Sequence, residues 1–291
     1  MSASKREKKR DTSGRKSSGP REHKKGSAFY LYCVGLSPSL TPLLNDSVPS
    51  AIEDDGPLEV VEEDGLGAVA SPVSLNDYGE DALRTHLSDA QWVALRAMRH
   101  ERVVDYFAKR ASIIPLRFGV IYLDRVGIGK MLAERGEELR EGISRLEGRE
   151  EWGVNVFCDS KTLLDTIVSY SPLLRELNEE AARSAPGQAY LVRKKMDSMR
   201  KEEARKEVKR TVESIEGELR KQSKGSTRLR LLKDEGGEQG ELVGKLAFLV
   251  ERARLDEFRS AAERLAAEHA GAGFRLEMTG PWPAYNFIAP D

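Results

Sequence analysis

Histidine and cysteine are scarce in this chain of 291 residues, with four and two copies respectively. The two thiols, Cys33 and Cys158, each lie in an apolar, strand-like run, so we interpret both as small buried hydrophobic residues. Two cysteines are too few for the disulfide framework of a secreted domain, and no cysteine or histidine pair has the spacing of a zinc site. The scarcity predicts no metal and favours a reducing, cytoplasmic compartment.

Long apolar runs are also missing. No stretch reaches the roughly eighteen apolar residues that a membrane-spanning helix needs. The basic start of the chain has no apolar run behind it, which argues against a secretory signal. Charged residues make up 33% of the chain, against a usual share of roughly one quarter. We therefore predict a very soluble protein that does not interact with membranes.

The charge is unevenly distributed. Residues 1–26 hold ten Lys or Arg against three Asp or Glu, a net +7, while the whole chain is at −1, which leaves about −8 for the rest. The basic segment has too little apolar surface to offset the entropy cost of ordering, so we predict that it is disordered. It is either an arm for an acidic partner or a solubilising tail. The acidic body argues against nucleic-acid binding.

Catalytic patterns are weak. His100, in a helical segment, would need a partner and a cleft to act as a base, and a packing or helix-surface role explains it as well. The stretch Gly127-Ile128-Gly129-Lys130 lacks the spacing of a phosphate loop. Acidic residues alternate with Lys and Arg at helical spacings, which is typical of a solvated face. We predict that the protein is not an enzyme and has neither catalytic residues nor a cofactor.

The first half of the chain predicts a mixed sheet. An aromatic strand begins at Ala28, and two short apolar runs flank Asp64-Gly65, a strong hairpin signal. This half also contains a loop and a helix capped at Ser88. An apolar strand, in which Pro115 indicates an edge or bulge, and one amphipathic helix follow. The three predicted ranges are 37–57 for the loop, 113–121 for the strand and 125–147 for the second helix.

The second half has a recognisable order of elements. Strands alternate in hydrophobicity, and one long, highly charged helix over 187–222 stands out. The order is strand, helices, strand, strand, helix, strand, which is the βαββαβ plan of ferredoxin-like domains. We predict an α+β fold with two domains, 27–149 and 150–279, the second a modified ferredoxin-like domain.

The C-terminal tail 280–291 is rich in aromatic residues and prolines. Its prolines argue against further sheet pairing, and its aromatic residues must pack on the body or on a partner. Arg117, in an apolar strand, either pairs with an acid between domains or faces a partner. The candidates for partner contact or interdomain packing are Arg117, Phe118, Trp152, Trp282, Tyr285 and Phe287.

Five motifs in order resemble the gas vesicle protein F/L family over roughly residues 28–288. They are Phe29-Tyr30-Leu31-Tyr32-Cys33-Val34, Arg99-His100-Glu101-Arg102-Val103-Val104, Ile114-Pro115-Leu116-Arg117-Phe118-Gly119, Glu151-Trp152-Gly153-Val154-Asn155-Val156 and Gly280-Pro281-Trp282-Pro283-Ala284-Tyr285-Asn286-Phe287. Ala284 and Asn286 stand where Pro and Ser are commoner in the family.

This resemblance implies a gas vesicle accessory protein, either a minor component or an assembly factor. Such a protein is expected to bind the hydrophobic shell protein, and possibly other accessory proteins, and to limit shell-protein aggregation during nucleation. The resemblance implies two α+β domains, no cofactor and no catalytic residue, and a place at the gas vesicle or in the cytoplasm. The alternative is a ferredoxin-like regulatory or ligand-binding module.

Overall fold

The computed structural model of the chain describes residues 26–54, 56–231, 236–237 and 240–288. The predicted basic segment 1–26 lies outside the described residues except for Gly26, and so does the end of the predicted tail. The first half contains β1 Ser27–Leu36, α1 Ser37–Leu40, a 3₁₀ turn Thr41–Asn45, β2 Glu59–Glu63, β3 Leu66–Ser74, α2 Leu75–Tyr78, α3 Glu80–His86, α4 Ala90–Ala108, β4 Ile113–Pro115, β5 Ile121–Tyr122, α5 Arg125–Glu134 and α6 Gly136–Leu146.

The first sheet has the strand order β2-β3-β1-β4, and β5 pairs with β1 beside β4. The predicted hairpin is present, since β2 and β3 pair antiparallel across Asp64 and Gly65. Both turn residues have positive φ, at 48° and 76°, as a two-residue hairpin loop whose twist matches the strands requires. The hairpin places β2 at one edge of the sheet.

The first sheet is covered on both faces. On one face, Tyr30, Tyr32 and Val69 pack with Val103 and Phe107 of α4. The opposite face packs against α5 and α6 in a second apolar cluster. Successive side chains of a strand point to opposite faces, so a strand covered on both sides is apolar at nearly every position, as β1 is.

Four local predictions for this half need correction. The predicted loop contains α1 and the 3₁₀ turn. The run 113–121 forms two short strands because the chain turns at Gly119, where φ is +94°. The helix predicted over 125–147 is divided at Arg135, whose ψ of 14° leaves the helical region just before Gly136. The cap of α4 is Asp89 and not the predicted Ser88, because the carboxylate of Asp89 accepts hydrogen bonds from two backbone N–H groups.

The second sheet has the order β10-β6-β9-β7, with β8 paired to β9. With β6 as the first strand of the unit, this antiparallel order is the one expected of a ferredoxin-like βαββαβ domain. Its elements are β6 Arg149–Cys158, α7 Ser160–Tyr170, α8 Pro172–Arg183, α9 Pro186–Arg220, β7 Gly225–Arg228, β8 Gly236–Gly237, β9 Gly240–Glu251, a 3₁₀ turn Arg252–Arg254, α10 Leu255–Ala270 and β10 Phe274–Trp282.

The two faces of the second sheet have different neighbours. Phe248 and its alternate residues on β9 pack with the helices α7 to α10. Ala247 and Leu249 point to the other face and join the apolar cluster that contains Ile143 of α6 and Ile114 of β4. This shared cluster, which we call the interlayer core, connects the two halves of the molecule. The domain boundary near residue 149 stays a prediction.

Two further observations concern the cysteines and the helices. Both cysteines are free and buried, as predicted. Across the described ranges, none of the helices combines the length and the apolar character that a membrane crossing requires.

Candidate functional site

A buried polar cluster lies between α4, β1 and the segment that follows β4. The register of α4 points His100 inward at its middle, and β1 contributes Tyr30 and Tyr32 from the same face of the sheet. His100 is completely buried, with 0% of its surface exposed. Its ring lies edge-on to Phe118, with ring centroids 6.0 Å apart, and stacks on Tyr32 at 5.8 Å.

The hydrogen bonds of this cluster determine the tautomer of His100. Nε2 lies 3.0 Å from the carbonyl oxygen of Leu116, which can only accept, so Nε2 carries the hydrogen. Nδ1 therefore accepts from the hydroxyl of Tyr30 at 2.9 Å. The Tyr30 oxygen in turn accepts the backbone N–H of Gly119 at 3.0 Å. Every donor is matched, and the bonds hold the segment after β4 against the helix.

Burial keeps this cluster uncharged. It lowers the pKa of His100 from an ordinary 6.5 to about 4, because the imidazolium would lose its hydration. Burial also raises the pKa of Tyr32 to about 12 and that of Tyr30 well above its usual range. Since both ring nitrogens of His100 are already engaged, the ring can take up a proton only if the Tyr30 hydroxyl stops donating to Nδ1. The cluster is therefore suited to holding segments together.

The C-terminal tail reaches this cluster. Strand β10 continues to Trp282, so the start of the tail pairs in the sheet although its prolines argued against this, and the chain then crosses to α4. The hydroxyl of Tyr285 donates to Glu101 at 2.9 Å and lies 3.3 Å from Nε2 of His100. Burial raises the pKa of Glu101, and it raises that of Tyr285 as well. The tail thus connects the last strand of the second sheet to a helix of the first half.

A second anchor of the tail is Glu151 on β6. Its carboxylate is only 4% exposed and accepts two hydrogen bonds from Asn286, from the backbone N–H at 3.0 Å and from Nδ2 at 2.5 Å. Burial raises the pKa of Glu151, and the two bonds from Asn286 partly oppose this effect. A buried carboxylate without such donors would be strongly destabilising, so the tail and the strand depend on one another.

The third anchor is apolar. Phe287 is 5% exposed and lies in the interlayer core with Ala247 and Leu249. Its ring passes so close to β7 that a Cβ added to Gly225 would lie 3.1 Å from the ring edge. Behind it, a guanidinium nitrogen of Arg145 donates to the carbonyl of Ile288 at 3.2 Å. We refer to residues 283–288 as the strap, because they connect both sheets.

Four of the six predicted site residues pack against the body of the protein, two of them buried and two half-buried. Phe118 and Tyr285 meet at His100, and Phe287 lies in the interlayer core. Trp152 is 8% exposed but lies on the opposite face of the second sheet, among the residues that pack with α7 to α10. The structure therefore brings two of these side chains together and separates the other two from them.

The remaining two predicted residues face solvent. Trp282 is 54% exposed and donates its indole N–H to Thr279 at 3.1 Å. Arg117 is exposed, and it makes no ion pair with any residue that the structure describes. The predicted interdomain pairing of Arg117 with an acid is thus not seen in the described part of the chain.

Sequence reasoning did not select Glu151 or Asn286, although both lie inside the motifs quoted for the resemblance. Alternation along β6 gave no signal for Glu151, because it shares the half-buried face of the strand with Gly153 and Asn155 and is buried there only where the strap covers it. The depth of His100 agrees with a packing role and not with a position on the helix surface. In the described portion of the chain, no group of three His, Cys, Asp or Glu side chains is placed to hold a metal ion.

A comparison with known families matches residues 28–289 to the family described as gas vesicle synthesis protein GvpL/GvpF. Among individual relatives, gas vesicle protein L of Streptomyces sp. (strain CB03234) is 27% identical over 236 residues, covering 79% of this chain and 83% of that protein. Gas vesicle protein F of the same organism is 28% identical over 262 residues, covering 88% and 98%.

The fold has a counterpart among solved structures. The crystal structure of the gas vesicle protein GvpF from Anabaena sp. PCC7120 superimposes with a TM-score of 0.63 at 17% identity, covering 91% of this chain and 97% of that one. At this identity the likeness concerns the fold alone. L-type and F-type relatives match this chain at similar identity.

Proposed function

Because this chain belongs to the gas vesicle synthesis protein GvpL/GvpF family, we propose that it binds the hydrophobic shell protein of gas vesicles and limits its aggregation during nucleation. The observation that carries the proposal is the family match over residues 28–289. Membership gives the chain an accessory role in gas vesicles, whereas the partner and the chemical task are our inference.

The physical case rests on the nature of the partner. A gas vesicle wall must present an apolar face to gas, so a free shell subunit exposes apolar surface to water and tends to aggregate. A protein that keeps it soluble needs a charged body with limited apolar contact sites. One third of this chain is charged, and its exposed large apolar side chains include Leu123, Val126 and Trp282.

Of the six predicted site residues, Arg117 and Trp282 are available for contact with a partner because they are exposed. Tyr285 is half-buried and Phe287 is buried, so we assign them to holding the two sheets together. Deleting residues 280–291 would therefore disturb the fold as well as any contact. Substitution of Trp282 alone separates the two effects, since its indole is half exposed and makes one hydrogen bond to a neighbour on its own strand.

The test is suppression of aggregation. Shell protein diluted from denaturant is followed by light scattering with an equimolar amount of the full chain or of serum albumin. We expect the chain to reduce scattering in proportion to its concentration, and Trp282→Ala and Arg117→Ala to reduce scattering less while keeping the wild-type unfolding midpoint. Equal scattering with the chain and with albumin would refute the proposed function.

The alternative, a ferredoxin-like regulatory or ligand-binding module, draws on the strand order of the second sheet. That order is shared by proteins of many unrelated functions, so it does not by itself indicate a ligand.

A further inference from the structure

The outermost strand of the first sheet, β2, has a free edge. It pairs with β3 on one side, and between Glu59 and Glu63 no other described backbone segment bonds to its outer side. An edge strand with unpaired N–H and C=O groups can accept a further strand from another chain. The strand with Pro115, which the sequence predicts as an edge or bulge, is only three residues long and pairs with β1.

Helix α5 runs beside this edge and forms the second wall of a groove of about 730 Å³. Val126, Gly129 and Ala133 line the helical side at spacings of three and four, so they share one face of α5. Lys130, which pairs with Glu134 at 3.7 Å, also lines this side. Val126 is 80% exposed although it belongs to a helix that packs on the sheet. Its apolar character at a position of an amphipathic helix would favour burial, and its exposure adds apolar surface to the groove.

The width of the groove is maintained by contacts at both ends. Arg125 of α5 makes a two-pronged ion pair with Glu59 of β2, with N–O distances of 2.9 and 2.6 Å. At the other end, a Cβ added to Gly129 would lie 3.1 Å from a carboxylate oxygen of Glu63, so helix and strand approach closely there. The groove is therefore formed before any partner arrives, which reduces the entropy cost of binding.

The charge of the β2 side chains determines which kind of segment can bind beside them. Val60 and Val61 are followed by Glu62 and Glu63, both exposed, while Glu59 is neutralised by its arginine. Hydrogen bonds from Ser37 and Thr41 lower the pKa of Glu62, which keeps it ionised. A second copy of β2 would place carboxylates opposite carboxylates, which destabilises strand pairing, whereas lysine or arginine would be matched.

We propose that the groove between β2 and α5 binds an extended segment of the shell protein in which two apolar residues adjoin two basic ones. The segment adds to the first sheet as a strand, with its apolar residues beside Val60 and Val61 and its basic residues beside Glu62 and Glu63. This inference rests on the proposed function, and it adds to it the place and the chemistry of the contact.

The first experiment uses a peptide probe. Fluorescein-labelled Lys-Lys-Val-Val-Lys-Lys reads the same in both directions, so it can pair in parallel or antiparallel orientation. Its anisotropy is titrated with the full chain and with Val126→Arg, which fills the groove at an exposed position. Leu191→Arg is the matched control, since Leu191 is 65% exposed on α9. We expect Val126→Arg to weaken binding about tenfold or more and Leu191→Arg by less than about twofold.

Two further arms test the strand and its charge. Replacing the second valine of the probe by proline removes a backbone donor and should abolish binding. Glu63→Lys should weaken the basic probe about tenfold and bind the probe Glu-Glu-Val-Val-Glu-Glu more tightly than the wild type does. Binding that is indifferent to the proline, or equal for Val126→Arg and Leu191→Arg, would overturn the inference.

The same variants are then used in the aggregation assay with shell protein. If wild type and Val126→Arg suppress scattering equally, the groove is not the contact site, although the proposed function stands. If wild type itself does not suppress scattering, the proposed function fails whatever the peptide does. A concentration-dependent dimer that Val126→Arg abolishes would assign the groove to a second copy of this chain and overturn the inference.

Discussion

The stability of this protein is expected to fall at mildly acidic pH because of His100. The folded state holds the ring neutral, with a pKa of about 4, whereas the unfolded chain has an ordinary value of 6.5. Folding lowers the pKa of this basic group, so the unfolded chain binds the proton more readily than the folded chain does. Its contribution is therefore fully present above the unfolded pKa and is lost as pH falls from about 6.5 towards 4.

The size of the effect follows from that gap. Complete titration of both states corresponds to about 3 kcal/mol, and the part lost between about pH 7.5 and about pH 5 is about 2 kcal/mol. Glu101 and Glu151 act in the opposite direction, because burial raises their pKa values and the folded state binds protons more readily there. The contribution of His100 must therefore be isolated by comparison with a variant.

The assay is urea unfolding of wild type and His100→Gln at both pH values. Glutamine does not titrate and can still donate to the carbonyl of Leu116. The variant should be less stable than wild type at the higher pH, because the hydroxyl of Tyr30 loses its acceptor, and its further loss on acidification should be smaller by about 2 kcal/mol. Tyr285→Phe keeps the imidazole, but it removes the hydrogen bond that lowers the pKa of Glu101, so its total acid loss should be somewhat smaller than that of wild type while the His100 contribution remains. Equal acid losses in wild type and His100→Gln would refute the reasoning.

Other predictions concern the strap and the hairpin. Asn286→Ala removes one of the two donors to the buried carboxylate of Glu151 and should lower the free energy of unfolding by about 1–3 kcal/mol. Asn286→Ser keeps a hydroxyl donor and should lose less stability, which urea unfolding of both variants would measure. Phe287→Ala should lower the free energy of unfolding by about 3–5 kcal/mol, because it opens a cavity in the interlayer core. Trp282→Ala should lower it by less than about 1 kcal/mol, because the indole is half exposed; thermal unfolding measures both. Gly65→Ala should cost about 1 kcal/mol in the same measurement, since φ is +76° at Gly65.

Several parts of the fold could be predicted because their causes are local. The hairpin follows from Asp64-Gly65, whose residues tolerate positive φ, and the order of elements in the second half follows from their hydrophobic periods. The break between α7 and α8 at Pro172 also has a local cause, because proline cannot continue the backbone bonding of a preceding helix.

Other parts could not be read from local pattern. The single helix predicted over 125–147 has no proline, and only the packing of its two pieces against the sheet shows the break at Arg135. Val126 occupies an apolar helical position yet lies exposed, because the helix faces an open edge there. Edges, and the helices beside them, depend on which strands pair across long stretches of chain.

The candidate site was likewise predictable in its local motifs but not in its long-range contacts. The motifs around His100, Glu151 and the tail were visible in the sequence and indicated the family. Their meeting was not visible, since Tyr285 lies 185 residues from His100 and Asn286 lies 135 residues from Glu151. Hydrogen bonds across such separations follow from the fold and not from spacing along the chain.

By itself, the sequence determined the composition of this protein as a charged body around apolar strands and helices, and the order in which those elements occur. It did so because periodicity, turn residues and charge act on neighbouring residues. Only the tertiary structure decided that His100 is uncharged, that the strap connects two sheets, and that β2 and α5 leave a groove open. Those properties depend on burial and on the pairing of distant segments.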